Sequence, residues 1–317
     1  MPRGAASGGS GKAFNDQPGY VMIKTLSQKD NFLDLPEELS GFQKSQVVIL
    51  PIPFEESTTF MQGTQNGPQA IITASRHLED YDDELDAEPC RVGIATAEPL
   101  DLDGMQGQNA LDRIEEVAAD IMQTGKFLVG LGGEHTITVP LVRAAHQTFH
   151  DLTVLHMDAH SDLRDEYEGS KLNHACVMAR VNEICDFVSI GLRSGLQDEG
   201  RDLRPGARLF YAYDMVRDSS WQDRVLDHLS DNVYLTVDLD YFDPAVMPAV
   251  GTPEPGGFYW YDTLEFLRKL MREKNVVACD VVELSPVQDL VHPDMFAAKL
   301  VYKLIGYRFF GRLRKYG

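Results

Sequence analysis

Six metal-seeking side chains fall in three short runs of this chain, Gly132-Gly133-Glu134-His135, Asp158-Ala159-His160-Ser161-Asp162 and Asp238-Leu239-Asp240. Two imidazoles and four carboxylates, with no thiolate among them, suit hard divalent cations and favour Mn²⁺ over a cysteine-rich zinc site. Four ionised aspartates also balance the charge of two dications, so a pair fits better than one. Binding to a single metal lowers the pKa of water from about 16 to about 7. Water between two cations can therefore lose its proton near neutral pH and attack without help from Ser or Cys. Taken singly, an Asp-x-His or Asp-x-Asp is usually a loop, a helix cap or a solvated pair of charges. Three such pieces, each directly after a strand-like run, favour the metal reading.

Those pieces must be carried to one place. In Asp158-x-His160-x-Asp162, positions two apart point the same way while the chain stays extended. Asp238 and Asp240 repeat the spacing, and Gly132-Gly133 permits a tight turn before His135. The body of the chain alternates apolar strand-like runs with amphipathic helical patterns. Strands are expected at 46–51, 91–95, 127–131, 153–157, 187–191, 208–212, 233–237 and 276–283. Several are continuously apolar, as strands covered on both faces should be. Helices are expected after Asn109 up to Gly125, from Thr138, over 262–274 and over 294–305. The fold class that follows is α/β: a three-layer αβα arrangement with a doubly wound, mainly parallel eight-stranded sheet. Such sheets bind ligands at their carboxyl edge, where all three runs would lie.

The formal net charge of −20 argues against nucleic acid or an anionic membrane as partner and favours a cationic small molecule. Cys90, Cys176, Cys185 and Cys279 are widely spaced, which fits reduced thiols in the cytoplasm. No apolar run approaches the roughly 20 residues needed to span a bilayer. The opening MPRGAASGGSGK lacks the apolar centre of a secretory signal. Residues 1–20 are expected to be a flexible tail, and 21–317 a single domain.

Longer motifs surround the ligand runs. GTQNGPQAI occupies 63–71, TVDLDYFDP 236–244, PAVGTPEPGG 248–257 and VELSP 282–286. Over roughly residues 45 to 307 the chain resembles the ureohydrolases, the arginase and agmatinase family, which cleave guanidino groups to urea at a binuclear manganese centre. Residue by residue, the resemblance implies that His135, Asp158, Asp162 and Asp238 hold one Mn²⁺. It implies that His160 and Asp240 complete a second site, with Asp158 and Asp238 bridging. It makes His174 a proton shuttle and Glu283 the carboxylate that receives the guanidinium, and it implies a homotrimer or homohexamer. Both side-chain types suit those tasks. A carboxylate accepts two parallel N–H bonds from a planar guanidinium, and a histidine titrates near neutrality. Asp162 is the expected receiver of the proton of the attacking hydroxide.

Substrate choice is expected to lie in the loop LRDEYEGSKLN at 163–173. Arginases carry a Ser/Thr/Asn-rich loop there, and this chain departs from it. Asp165, Glu166 and Glu168 would repel a carboxylate and attract a distal ammonium, which points to agmatine, giving putrescine and urea. The segment RDEYEGS at 164–170 also resembles a bacterial subgroup in which some members act on N1-aminopropylagmatine and give spermidine. Arginine and guanidinobutyrate each need a cationic contact, for which Arg164 is the available residue near the start of the loop. A non-catalytic homologue that binds metal or polyamine is the alternative outside the enzymes. His77, His146, His150, His228 and His292 lack ligand spacing, and His156 is expected to pack or to bond a neighbour. Glu134 and Asp243 are candidates for orienting the ligands.

Overall fold

A computed structural model describes residues 23–197 and 202–313, apart from the side chain of Arg312. The proposed tail at 1–20 lies outside the described residues. Eight strands form one sheet: β1 Val47–Ile52, β2 Ile94–Thr96, β3 Phe127–Gly132, β4 Leu152–Met157, β5 Asp186–Leu192, β6 Arg208–Tyr211, β7 Asn232–Asp238 and β8 Asn275–Val282. Their order is β2-β1-β3-β8-β7-β4-β5-β6, and neighbouring strands pair in parallel throughout.

The strand composition follows from the layering. In β1, Val47 and Ile49 enter one apolar core while Val48, Leu50 and Ile52 enter the other. A strand buried on both faces has no polar side, so VVILPI reads as one apolar run. One core is closed by helices Gly107–Gln123, Thr138–Thr148 and Val177–Ile184, the other by Gly67–Ser75, Trp221–Asp227, Trp260–Glu273 and His292–Leu313. Helix Gly107–Gln123 buries Leu111, Ile114, Val117, Ala118, Ile121 and Met122, the spacing of a single helical face. Gly125 follows at φ 76°, a left-handed stop.

Two boundaries differ from expectation. Residues Pro89–Val92 form a 3₁₀ turn, and Gly93 at φ 81° delays β2 until Ile94. A side chain at Gly93 would also press on the Ser45 backbone, its Cβ 2.8 Å from the Ser45 Cα. In the middle of the sheet β8 stops at Val282, and Glu283 turns away at φ 66°. Strands β3, β8, β7 and β4 are consecutive in the sheet, so their carboxyl ends share one edge.

Candidate metal centre and guanidinium pocket

Each of those four central strands delivers part of the cluster. His135 follows β3 through Gly133, whose N–H donates to the Ile52 carbonyl. A Cβ at Gly133 would lie 2.0 Å from the Phe54 carbonyl oxygen. The glycine is needed there for close backbone approach, and neither Gly132 nor Gly133 adopts a positive φ. Asp158, His160 and Asp162 leave β4. The alternation expected of an extended chain ends at Asp162, which is left-handed at φ 51°. Its carbonyl accepts from the N–H groups of Met178 (2.9 Å) and Ala179 (3.2 Å), at the start of helix Val177–Ile184. Asp238 ends β7, and a 3₁₀ turn over Leu239–Tyr241 brings Asp240 round, with the Asp240 N–H donating to Asp238 Oδ1 over 2.8 Å. The turn replaces the extended spacing expected there.

His135 Nδ1 lies 3.1 Å from Asp158 Oδ2, 3.3 Å from Asp162 Oδ2 and 3.1 Å from Asp238 Oδ2. It is fully buried and makes no hydrogen bond. Ligand atoms about 2.1 Å from a common ion and at right angles to one another lie about 3 Å apart. A buried imidazole lone pair ringed by oxygens at that spacing, but unbonded to them, has the geometry of a metal ligand. His160 Nδ1 lies 2.8 Å from Asp240 Oδ2 and 3.6 Å from Asp158 Oδ1. The two groups of donors therefore meet at Asp158, which offers Oδ2 to one and Oδ1 to the other. The donor set fits a pair of cations.

Electrostatics agree. Burial works against a charge on His160, but Asp240 and Asp158 overcome it and push its pKa up to about 12. His135 is likewise raised, because Asp158, Asp162 and Asp238 outweigh its burial. Burial, with Asp240 and Asp158 beside it, drives Asp238 well above the usual carboxylate range. Burial also raises Glu283, opposed by the His135 N–H that it accepts and reinforced by Glu134. Such a pocket takes up positive charge wherever it can.

All eight expected positions converge. His160, Asp162, His174, Asp238, Asp240 and Glu283 line a cavity of about 310 Å³, with His135 and Asp158 buried beneath it. Thr59 Oγ1 sits 3.2 Å from His174 Nε2, and the His174 N–H donates to Ser57 Oγ at 2.9 Å. Ser57 Oγ in turn donates to Glu134. Glu134 also accepts from Thr136 Oγ1 and from the N–H groups of Glu56 and Ser57, so it organises the loop that carries Thr59.

His156 bonds both ways, to Ser189 Oγ at 2.9 Å and Asp158 Oδ2 at 2.8 Å, so it orients a ligand-type carboxylate. Asp243 fastens the backbone of Ala245, Gly256 and Gly257. Several contributors carried no ligand-type spacing and were missed. Arg193 donates to the carbonyls of Gly191, Asp240, Tyr241, Phe242 and Glu254. Asp280 gathers the hydroxyls of Thr138, Tyr234 and Thr236 below His135. An aspartate inside the otherwise apolar run of β8 was the available signal, because a buried carboxylate requires partners.

The acidic loop is arranged differently from expectation. Asp165 pairs with Lys171 at 2.9 Å and Arg180 at 2.5 Å. Arg164 and Tyr167, rather than Asp165, Glu166 or Glu168, line the cavity, with the Arg164 guanidinium 4.2 Å over the Tyr167 ring.

Comparison with known proteins agrees with this geometry. The profile of the arginase family matches residues 45–306. An N(1)-aminopropylagmatine ureohydrolase of Synechocystis is 40% identical over 293 residues, covering 90% of this chain and 95% of that protein. An agmatinase of Bacillus anthracis is 34% identical over 276 residues, covering 84% and 92%. Among solved structures, the agmatine ureohydrolase of Thermoplasma volcanium superposes with a TM-score of 0.78 at 32% identity, covering 89% of this chain and 95% of that one. The extent of these matches, over a fold and a cluster of this kind, places the chain in the arginase family, among the hydrolases that act on guanidino groups.

Proposed function

We propose that the chain hydrolyses the guanidino group of a decarboxylated, cationic substrate, releasing urea and an amine. The observation that carries this is the convergence of two imidazoles, four aspartates and Glu283 on one cavity. In this reading His135, Asp158, Asp162 and Asp238 hold one divalent cation. His160 and Asp240 hold a second, with Asp158 and Asp238 shared. A bound pair of manganese ions would acidify water and offset the aspartate charge. Glu283 accepts N–H bonds from the guanidinium and fixes the orientation of its carbon. Asp162 takes the proton of the attacking oxygen, and His174 gives one to the departing nitrogen as the C–N bond breaks.

Among such substrates the sequence puts agmatine first. The 40% identity to relatives named N(1)-aminopropylagmatine ureohydrolase, against 34% to those named agmatinase, moves the longer polyamine ahead of it. Tyr167 and Leu196 give the outer cavity apolar surface for methylene groups. One observation favours a second reading. Arg164 also lines the cavity, and a guanidinium there could receive a carboxylate, as in arginine or guanidinobutyrate.

The test is a panel of aminopropylagmatine, agmatine, arginine and guanidinobutyrate, offered to Mn²⁺-loaded protein with urea measured. Highest kcat/KM on a decarboxylated substrate supports the proposal, and arginine as the best substrate overturns it. No release of urea from any of the four would favour a non-catalytic homologue. Among the described residues no helix is long and apolar enough to cross a membrane. Assembly as a homotrimer or homohexamer, a single domain over 21–317 and a cytoplasmic location belong to the same proposal. Light scattering tests the first of them.

A further inference from the structure

The cluster has a floor that the proposed chemistry does not use. Asp280, on β8, is fully buried, yet three hydroxyl groups converge on its two oxygens. Thr236 Oγ1 donates to Oδ1 at 2.6 Å, Tyr234 to Oδ2 at 2.6 Å and Thr138 Oγ1 to Oδ2 at 3.1 Å. Thr236 comes from β7 next door, where it stands opposite Asp280 in the register. Its oxygen also lies 2.9 Å from Nε2 of His135.

With Asp280 the acceptor of all three hydroxyls, the proton count along this chain has one solution. A hydroxyl has a single proton, and that of Thr236 is committed to Asp280. Toward His135 the same oxygen can only accept, so Nε2 carries a proton and donates it. Nδ1 is then the nitrogen presented to a cation, and it is the atom ringed by Asp158, Asp162 and Asp238.

We infer that Asp280 and Thr236 form a buried relay that holds the Nε2–H of His135 and so orients the ring with Nδ1 presented to a divalent cation. Asp280 and Thr236 are positioning residues that act through His135. Outer partners of metal-binding histidines commonly govern ring orientation and basicity, and their loss costs about 10- to 100-fold in metal affinity.

The inference rests on the metal reading above, and its test separates the two. Mn²⁺ binding would be measured by calorimetry on the full-length wild type and on Thr236→Val, Thr236→Ser, Asp280→Asn and Tyr234→Phe. Thr236→Val and Asp280→Asn should weaken binding about 10- to 100-fold. Thr236→Ser, which keeps the hydroxyl, should restore it. Tyr234→Phe should stay close to wild type, because Tyr234 does not touch His135. Wild-type affinity in Thr236→Val would overturn the relay. Wild-type protein that binds no Mn²⁺ would instead remove the metal reading. A second measurement covers variants that fail to fold. In ¹⁵N-histidine-labelled wild type, long-range ¹H–¹⁵N spectra should show the His135 Nε2 carrying a proton. An unprotonated Nε2 would overturn the relay even if Mn²⁺ binds.

Discussion

The backbone N–H of His135 donates to Oε1 of Glu283 across 2.6 Å, tying the end of β3 to the end of β8. The imidazole proposed for the metal and the carboxylate proposed for the guanidinium are thus set by one bond. Glu283 reaches this position only by adopting a left-handed backbone at φ 66°. For a non-glycine residue that conformation costs on the order of 1–3 kcal/mol. The Glu283 N–H, donated to the Gly133 carbonyl at 2.9 Å, helps to hold it there.

Glu283→Gln should therefore separate substrate binding from metal binding. The amide keeps an oxygen for the His135 N–H and loses the charge that pairs with guanidinium. Removing one side of such a pair costs about 2–5 kcal/mol, or on the order of 10²–10³ in kcat/KM. Metal content should remain at the wild-type level. Loss of bound Mn²⁺ in this variant would mean that Glu283 supports the cations rather than the substrate.

His174→Ala tests the proton path. The ring borders the cavity, and its backbone is held by Ser57 while Thr59 sits at its Nε2. A positioned general acid contributes typically about 10²–10⁴ in rate. Turnover should fall within that range, with unchanged Mn²⁺ stoichiometry and with partial rescue by added imidazole. Unaltered kcat across the pH range would remove His174 from the reaction.

The strands and the ligand runs were legible because burial on both faces makes a strand continuously apolar and because ligand-type residues follow its end. All eight expected strands are present, although β2 is shifted by the 3₁₀ turn at Pro89–Val92. The direction of the loop after Asp162 was not legible. Asp165 is drawn to Arg180, which lies on the following helix, so a long-range pair decides which side chains face the cavity. Arg193 was hidden for a related reason. It bonds backbone carbonyls, and carbonyls carry no sequence signature. The far helix, expected over 294–305, runs His292–Leu313, because Gly306 and Arg308 interrupt its apolar pattern.

Lys303, within that helix, leads to a stability prediction. Its ammonium is buried and bonds Asp82 Oδ1 and Glu84 Oε2, each at 2.8 Å. Lys303→Met would leave buried Asp82 without its counter-charge, which typically costs about 3–5 kcal/mol. Thermal melting at neutral pH should show the loss. The pH dependence has a definite sign. Burial raises the Glu84 pKa, but bonds from Lys303 and Tyr307 outweigh it and hold the group below its ordinary 4.5. A depressed carboxylate stabilises the fold above its unfolded pKa and loses that contribution as pH falls through the folded value. The gap between wild type and Lys303→Met should therefore narrow in acid, below the ordinary 4.5 of Glu84. A gap that widens on acidification would contradict the assignment.

Arg193 bears on the second cation. Its Nη2 donates to the Asp240 carbonyl at 2.6 Å and to that of Glu254 at 2.9 Å, while Nη1 reaches the Gly191 carbonyl at 3.1 Å. One planar fork thus clamps the turn that presents Asp240 against the loop before Gly256. Lysine carries the same charge but has a single point donor and cannot reproduce the fork. In Arg193→Lys the turn over Leu239–Tyr241 should loosen, and Asp240 should lose its fixed approach to His160. The first site shares Asp238 with that turn but takes His135, Asp158 and Asp162 from other strands. The expected result is a split titration, in which one Mn²⁺ binds as in wild type and the other about tenfold or more weakly. Equal weakening of both ions would place the effect on the whole edge of the sheet, and wild-type binding of both would deny Arg193 any role in the cluster.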